Sequence, residues 1–121
     1  MQKQLPACPV ETTLMLISNR WNVLILRDLL TGTKRFGELK RSIGGISQKV
    51  LTANLRTMEE NGLLQRKVYA QVPPKVEYTL TQTGYSLQTV LQAMQQWGAA
   101  YQARMHTGEL LQKTGGMDDS C

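Results

Sequence analysis

The sequence predicts an α+β fold that is mainly α: four helices, a two-stranded hairpin and a long closing helix. Three observations predict it. Apolar residues recur three and four apart through the first half of the chain, the period of a helix with one buried face. Between Leu64 and Leu80 they mostly alternate with polar residues, the period of a strand. After Leu80 the helical spacing returns and runs to Tyr101. The 121 residues, 41% hydrophobic and 19% charged, fit one ordinary soluble domain. Residues 1–9 read as an N-terminal extension, 10–105 as the folded unit, and 106–121 as a flexible tail rich in Gly, Asp and Ser.

Pro6 and Pro9 disfavour helix in the residues before them, so Lys3 to Pro9 reads as extended. Val10 to Ile17 forms a short helix with Leu14 and Ile17 on one face. Asn19 caps a second helix, Arg20 to Leu30, whose Trp21, Leu24, Ile25 and Leu29 recur at helical spacing. Gly32 suits its C-terminal stop. Phe36 to Ser42 is a third helix, with Phe36, Leu39 and Ile43 forming an inward stripe. Gly44-Gly45 breaks the chain, and Ser47 caps a fourth helix from Gln48 to Asn61. Two strands follow, carrying Leu64, Arg66, Val68 and Val76, Tyr78, Leu80. Ala70 to Lys75 joins them, and Pro73-Pro74 makes that connection project because proline cannot donate to a ladder. Thr81 or Thr83 caps one last helix reaching Arg104.

The charge is placed unevenly. The chain carries a net +5, yet between Lys34 and Lys75 nine basic residues face only Glu38, Glu59 and Glu60. A locally basic segment points to an anionic partner, nucleic acid first. Within it, two short helices joined by a Gly-containing turn have the form of a helix-turn-helix. At about 100° per residue, Leu51, Leu55 and Met58 of the second helix fall within about 60° and form a buried stripe. Lys49, Thr52, Ala53, Arg56 and Thr57 lie opposite, with Ser47 and Gln48 at the start. That face lacks carboxylates and large apolar groups. Its residue types match base-edge chemistry: amide to adenine, cation to guanine, a small methyl to thymine. Arg66, Lys67 and Lys75 on the hairpin suit a wing that meets phosphates or the minor groove. Lys34, Arg35, Lys40 and Arg41 flank the groove as phosphate contacts, which position without reading sequence. The predicted architecture is therefore a winged helix-turn-helix with a two-stranded wing.

From Cys8 to Tyr101 the chain resembles the HxlR-type winged helix-turn-helix family, relatives of the MarR-like regulators. The resemblance rests on Cys8-Pro9, "RWNVLIL", "RFGELKRSIGGISQKVLTANLR" and "VPPKVEYTLTQTG". Where family members often have "TPLG", this chain has Thr81-Gln82-Thr83-Gly84, a departure that bears on a helix start. The resemblance implies a transcription regulator whose Ser47–Asn61 helix enters the major groove of double-stranded DNA, and terminal helices that build a dimer. It also implies that a cysteine at the Cys8 position serves, in several members, as a redox or electrophile sensor, with a small oxidant or electrophile as effector.

Leu87, Val90, Leu91, Met94, Trp97 and Tyr101 independently form a stripe wider than one short domain needs, so a homodimer is expected. Two recognition helices about 34 Å apart would match one turn of DNA and a pseudo-palindromic operator. Cys8 and Cys121 are the only cysteines; in a reducing compartment both are expected as thiols, Cys121 as incidental, with an intersubunit or Cys8–Cys121 disulfide as the lesser alternative. Neither an apolar run of membrane-span length nor one of signal-peptide type appears, so a cytoplasmic location is expected. No metal site, cofactor or catalytic constellation is expected: His106 is the only histidine and the glycines form no phosphate-cradling motif. Two other readings remain open on the sequence: a winged-helix protein-interaction module with no specific DNA site, and a small-molecule or thiol sensor acting mainly through its ligand.

Overall fold

The structure, a computed structural model, describes residues 4–107. The elements run α1 (Pro9–Ile17), α2 (Arg20–Leu29), β1 (Lys34–Arg35), α3 (Phe36–Ile43), α4 (Gln48–Glu60), β2 (Leu64–Tyr69), β3 (Lys75–Leu80), α5 (Gln82–Ser86) and α6 (Gln88–Thr107). Local chemistry explains most of these boundaries. The Asn19 side chain accepts from the Trp21 N–H at 2.7 Å, and Ser47 Oγ accepts from the Val50 N–H at 3.1 Å. Each satisfies a donor that the first helical turn leaves orphaned. Between α3 and α4 the chain turns through Gly44 and Gly45, at φ 67° and 70°, a region in which a side chain meets the backbone.

The core lies where α2, α3 and α4 meet the sheet. Ile25, Leu26 and Leu29 of α2, Leu39 of α3 and Leu51 of α4 are fully buried. Leu55, Met58, Leu63, Leu64, Tyr78 and Leu80 complete the cluster with Ile17, Ile46 and Leu87. The stripe expected on the fourth helix, Leu51, Leu55 and Met58, is therefore the face that packs, and each such side chain contributes about 1.5–3 kcal/mol of apolar burial.

Two elements differ from the sequence reading. The expected two-stranded wing, β2 with β3, is joined by a third antiparallel strand, giving the order β1-β3-β2. Lys34 pairs with Tyr78 and Arg35 with Glu77, so β3 is the central strand. Two residues are too short to show alternation, which hid β1. The last helix is also two helices. Thr81 ties its start to the preceding turn: its N–H donates to the Leu63 carbonyl at 3.0 Å and its hydroxyl donates to the Gly62 carbonyl at 2.6 Å. The same hydroxyl accepts from the Gly84 N–H at 3.1 Å. A Cβ on Gly84 would lie 2.1 Å from the Leu63 carbonyl oxygen. Gly84 is what lets α5 press onto that turn before the chain redirects at Leu87 into α6. α6 includes His106 and Thr107, the first two residues of the expected tail; the rest of that segment lies outside the described residues.

Candidate nucleic-acid interface

α4 presents its outer face to solvent. Gln48, Lys49, Thr52, Ala53 and Arg56 are exposed and together line one shallow concavity of about 550 Å³. Ser47, also exposed, opens the helix. The surface offers an amide, a hydroxyl and two cations, with no carboxylate among its lining residues. Ala53 sits between the long side chains and lets a partner approach the helix axis. Neither Lys49 nor Arg56 takes part in the ion pairs found among the described residues. Their charge is thus not spent inside the chain. The sequence-predicted recognition residues are brought together as a group.

The wing cations are arranged differently from one another. Arg66 Nε lies 3.6 Å from Glu59 Oε1, which joins the wing to the end of α4. Lys75 Nζ lies 3.4 Å from Glu77 Oε2 and 4.6 Å from the centre of the Tyr69 ring. Lys67 Nζ sits over the same ring at 4.9 Å, within range of the ring's electrostatic attraction for a cation. The Tyr69 hydroxyl donates to Glu77 Oε1 at 2.9 Å. That hydrogen bond, aided by Lys75 and Arg35, holds the Glu77 carboxyl below its usual pKa although desolvation opposes it. Burial pushes the Tyr78 phenol up. Lys75 is thus a strut within the hairpin, paired and only 25% exposed along its side chain. Of the three predicted wing contacts, Lys67 is exposed and outside these ion pairs.

Lys40, Arg41 and Arg35 are exposed. Lys34 and Arg41 border a cavity of about 450 Å³ that also includes Asp28, Glu38 and Ser42. Two carboxylates therefore share that edge, and it is less basic than the residue list alone suggested. Glu38 is occupied with structure, since its Oε1 accepts from the Arg35 N–H at 2.8 Å at the start of α3.

The expected dimer stripe divides. Leu87 is buried in the chain's own core, and Val90 and Leu91 pack against that core. Val90 and Leu91 stay half-buried, and Val90 borders the same open apolar surface as Met94 and Trp97. Met94, Trp97 and Tyr101 are exposed, Trp97 at 68%. The Trp97 and Tyr101 rings stack at 5.2 Å. Met105 extends this surface along α6, and Val10, Leu14 and Met15 of α1 are exposed as well. Leu14 and Ile17, expected on one face, part company: Ile17 is buried in the core and Leu14 is exposed, because a nine-residue helix has too few turns for spacing alone to fix its inner face.

Cys8 stands at the N-cap of α1, half-buried, and is disulfide-bonded. The default expectation of a thiol is corrected in favour of the lesser alternative, a disulfide, which a sulfur at a half-buried helix entrance can reach. Cys121 lies outside the described residues. His106 is exposed in the last turn of α6. Among the described residues no group of three or more His, Cys, Asp and Glu is placed to hold a metal. A link that sequence reasoning did not reach joins Asn19 to α4: Asn19 Nδ2 donates to Asn54 Oδ1 at 3.1 Å.

Residues 16–106 match the HxlR-like helix-turn-helix family. Over 106 residues the chain is 44% identical to the HTH-type transcriptional regulator YdeP of Bacillus subtilis, covering 88% of this chain and 83% of that protein. Among solved structures it is similar to the redox regulator HypR in its reduced form, with TM-score 0.76 and 39% identity over 82% of this chain and 98% of HypR. It also resembles the reduced form of the transcriptional regulator YodB from B. subtilis, with TM-score 0.68 and 44% identity over 76% of this chain and 91% of YodB.

Proposed function

Because the chain belongs to the HxlR-like helix-turn-helix family of DNA-binding transcription regulators, we propose that it binds a pseudo-palindromic operator as a homodimer whose affinity is set by the redox state of Cys8. The carrying observation is the exposed concavity that Gln48, Lys49, Thr52, Ala53 and Arg56 form together on α4. Donors of that kind on a helix that fits the major groove read base edges there. Lys67, Lys40 and Arg35 add sequence-independent attraction to phosphates. No enzymatic role enters, since the family consists of regulators.

The dimer reading rests on α6. It is a 20-residue helix none of whose residues is buried, yet it carries Met94, Trp97, Tyr101 and Met105 in the open. A monomer gains nothing from such a surface, whereas a second copy would cover it. The same symmetry would set two α4 helices on successive major grooves of one face of the duplex, about 34 Å apart. No helix among the described residues is long and apolar enough to cross a membrane, and the proposed place of action is the cytoplasm, where the DNA lies.

The gating reading rests on Cys8 lying in a disulfide at the entrance to α1, on the exposed apolar face of α1 beside it, and on similarity to a redox regulator. A diamide- or hypochlorite-class oxidant accepts two electrons, and two thiols lose two protons, as the sulfur–sulfur bond forms. Dithiothreitol reverses the step. Selection of genomic fragments by the purified protein tests both parts. The reduced and oxidised proteins should recover one pseudo-palindromic site in unequal amounts, and Cys8→Ser should recover it equally under both conditions. No enriched site removes the operator reading, and an undiminished redox response in Cys8→Ser removes the gate.

A further inference from the structure

α4 is held on the core by Leu51, Leu55 and Met58, a stripe on one side of the helix. Apolar contact of that kind has no direction, so it tolerates a small roll about the helix axis. Ser47 caps the helix at its start, and the Glu59–Arg66 pair engages its end. Between them, half-buried Asn54 stands at the edge of the stripe, next to Ala53 of the outer concavity. Asn54 Nδ2 donates to the Val50 carbonyl of its own helix at 2.8 Å. That bond leaves Asn54 Oδ1 to accept from Asn19 Nδ2 at 3.1 Å. Asn19 is oriented in the same way, because its Oδ1 accepts from the Trp21 N–H at 2.7 Å. Each amide is set by its own backbone, and a donor is left facing an acceptor. Asn19 is itself firmly anchored. It opens α2, whose Ile25, Leu26 and Leu29 are fully buried, and Asn22 Nδ2 ties the α1–α2 corner to the Leu16 carbonyl at 3.3 Å.

We infer that Asn54 is a positioning residue: held by Asn19, it fixes the roll of α4 and thereby the discrimination between operator and other DNA. The inference rests on the operator reading above and deepens it. Geometry supports it. A side-chain tip lies about 6 Å from the helix axis, so a roll of about 10° carries it through about 1 Å. Hydrogen bonds from α4 to base edges keep a length window of only about 0.5 Å. Attraction between a cation and a phosphate falls off gradually with distance and survives such a shift. Loss of the bond should therefore harm base reading and leave general DNA attraction in place. Neither asparagine belongs to the buried core, so the effect falls on orientation and not on folding.

The test uses the full chain, the selected operator duplex and a random-sequence duplex of equal length. Asn19→Ser keeps a hydroxyl that can cap α2 but is too short to reach Asn54. Asn54→Ala removes the bond from the other side and suits a helix interior. Each should lower operator affinity about threefold to tenfold. Affinity for the random duplex, and the slope of log affinity against log salt, should stay at wild-type values. The double variant should lose no more than the larger single loss, because both changes break one bond. A urea melt of each protein checks that it is folded. Operator loss in only one of the single variants points to a direct contact by that residue and overturns the inference. Equal loss on both duplexes, additive losses in the double variant, or wild-type affinity throughout also overturns it. Failure of the wild type to prefer any selected duplex instead overturns the operator reading beneath it.

Discussion

Replacing Lys49 and Arg56 together with alanine is expected to lower operator affinity by about 2–6 kcal/mol, roughly thirtyfold to more than ten-thousandfold. Each bidentate base contact is worth about 1–3 kcal/mol. The two residues lie seven positions apart on α4, about 10 Å along its axis, so their effects should nearly add. Both are exposed and lie outside the ion pairs of the described residues. Folding stability should therefore shift by less than about 0.5 kcal/mol, the usual range for surface substitutions. Titration of a labelled operator duplex, with a urea melt as control, reads both. If the single variants each cost affinity evenly across operator and random DNA, the two cations serve phosphates and base reading falls to Gln48 and Thr52.

Trp97→Asp should convert the proposed dimer to a folded monomer. In the chain itself Trp97 touches mainly Tyr101 and stays 68% exposed, so its loss leaves the core intact. In the proposed dimer it is the largest apolar group on α6, and an aspartate there would be desolvated without a partner. Because two α4 helices on one duplex act as a linked pair, monomerisation should reduce full-operator affinity by on the order of a hundredfold to ten-thousandfold. Affinity for an isolated half-site should change little. Sedimentation equilibrium with operator binding separates these effects. A Trp97→Asp protein that remains dimeric shows that α6 does not form the interface.

The parts legible in the sequence were those carried by local rules. Asn19 and Ser47 each announce a helix start because the cap is made by the residue itself, and Thr81, one of two threonines the sequence offered, makes the third such hydrogen bond. Leu51, Leu55 and Met58 announce the inner face of α4 because period and burial coincide there. What stayed hidden depends on partners distant in sequence. The two residues of β1 pair with Tyr78 and Glu77, more than forty positions on. The break before α6 comes where Gly84 packs on the Leu63 carbonyl, and it leaves Leu87 in the chain's own core with Val90 and Leu91 half-buried beside it. Charge sign could be read at Arg66 and Lys75, but not that Glu59 and Glu77 engage them. The α4 face was easier because its residues are neighbours on one helix and no distant carboxylate joins their concavity.

At the centre of this account is contact between the outer side of α4 and the bases of a duplex. Adding unlabelled operator to nitrogen-15-labelled protein and following the amide resonances measures that contact directly. The account predicts the largest shifts at Gln48, Lys49, Thr52, Ala53 and Arg56, with smaller ones in the wing. Shifts confined to α1 and α6, with the α4 amides unmoved at saturation, would contradict it.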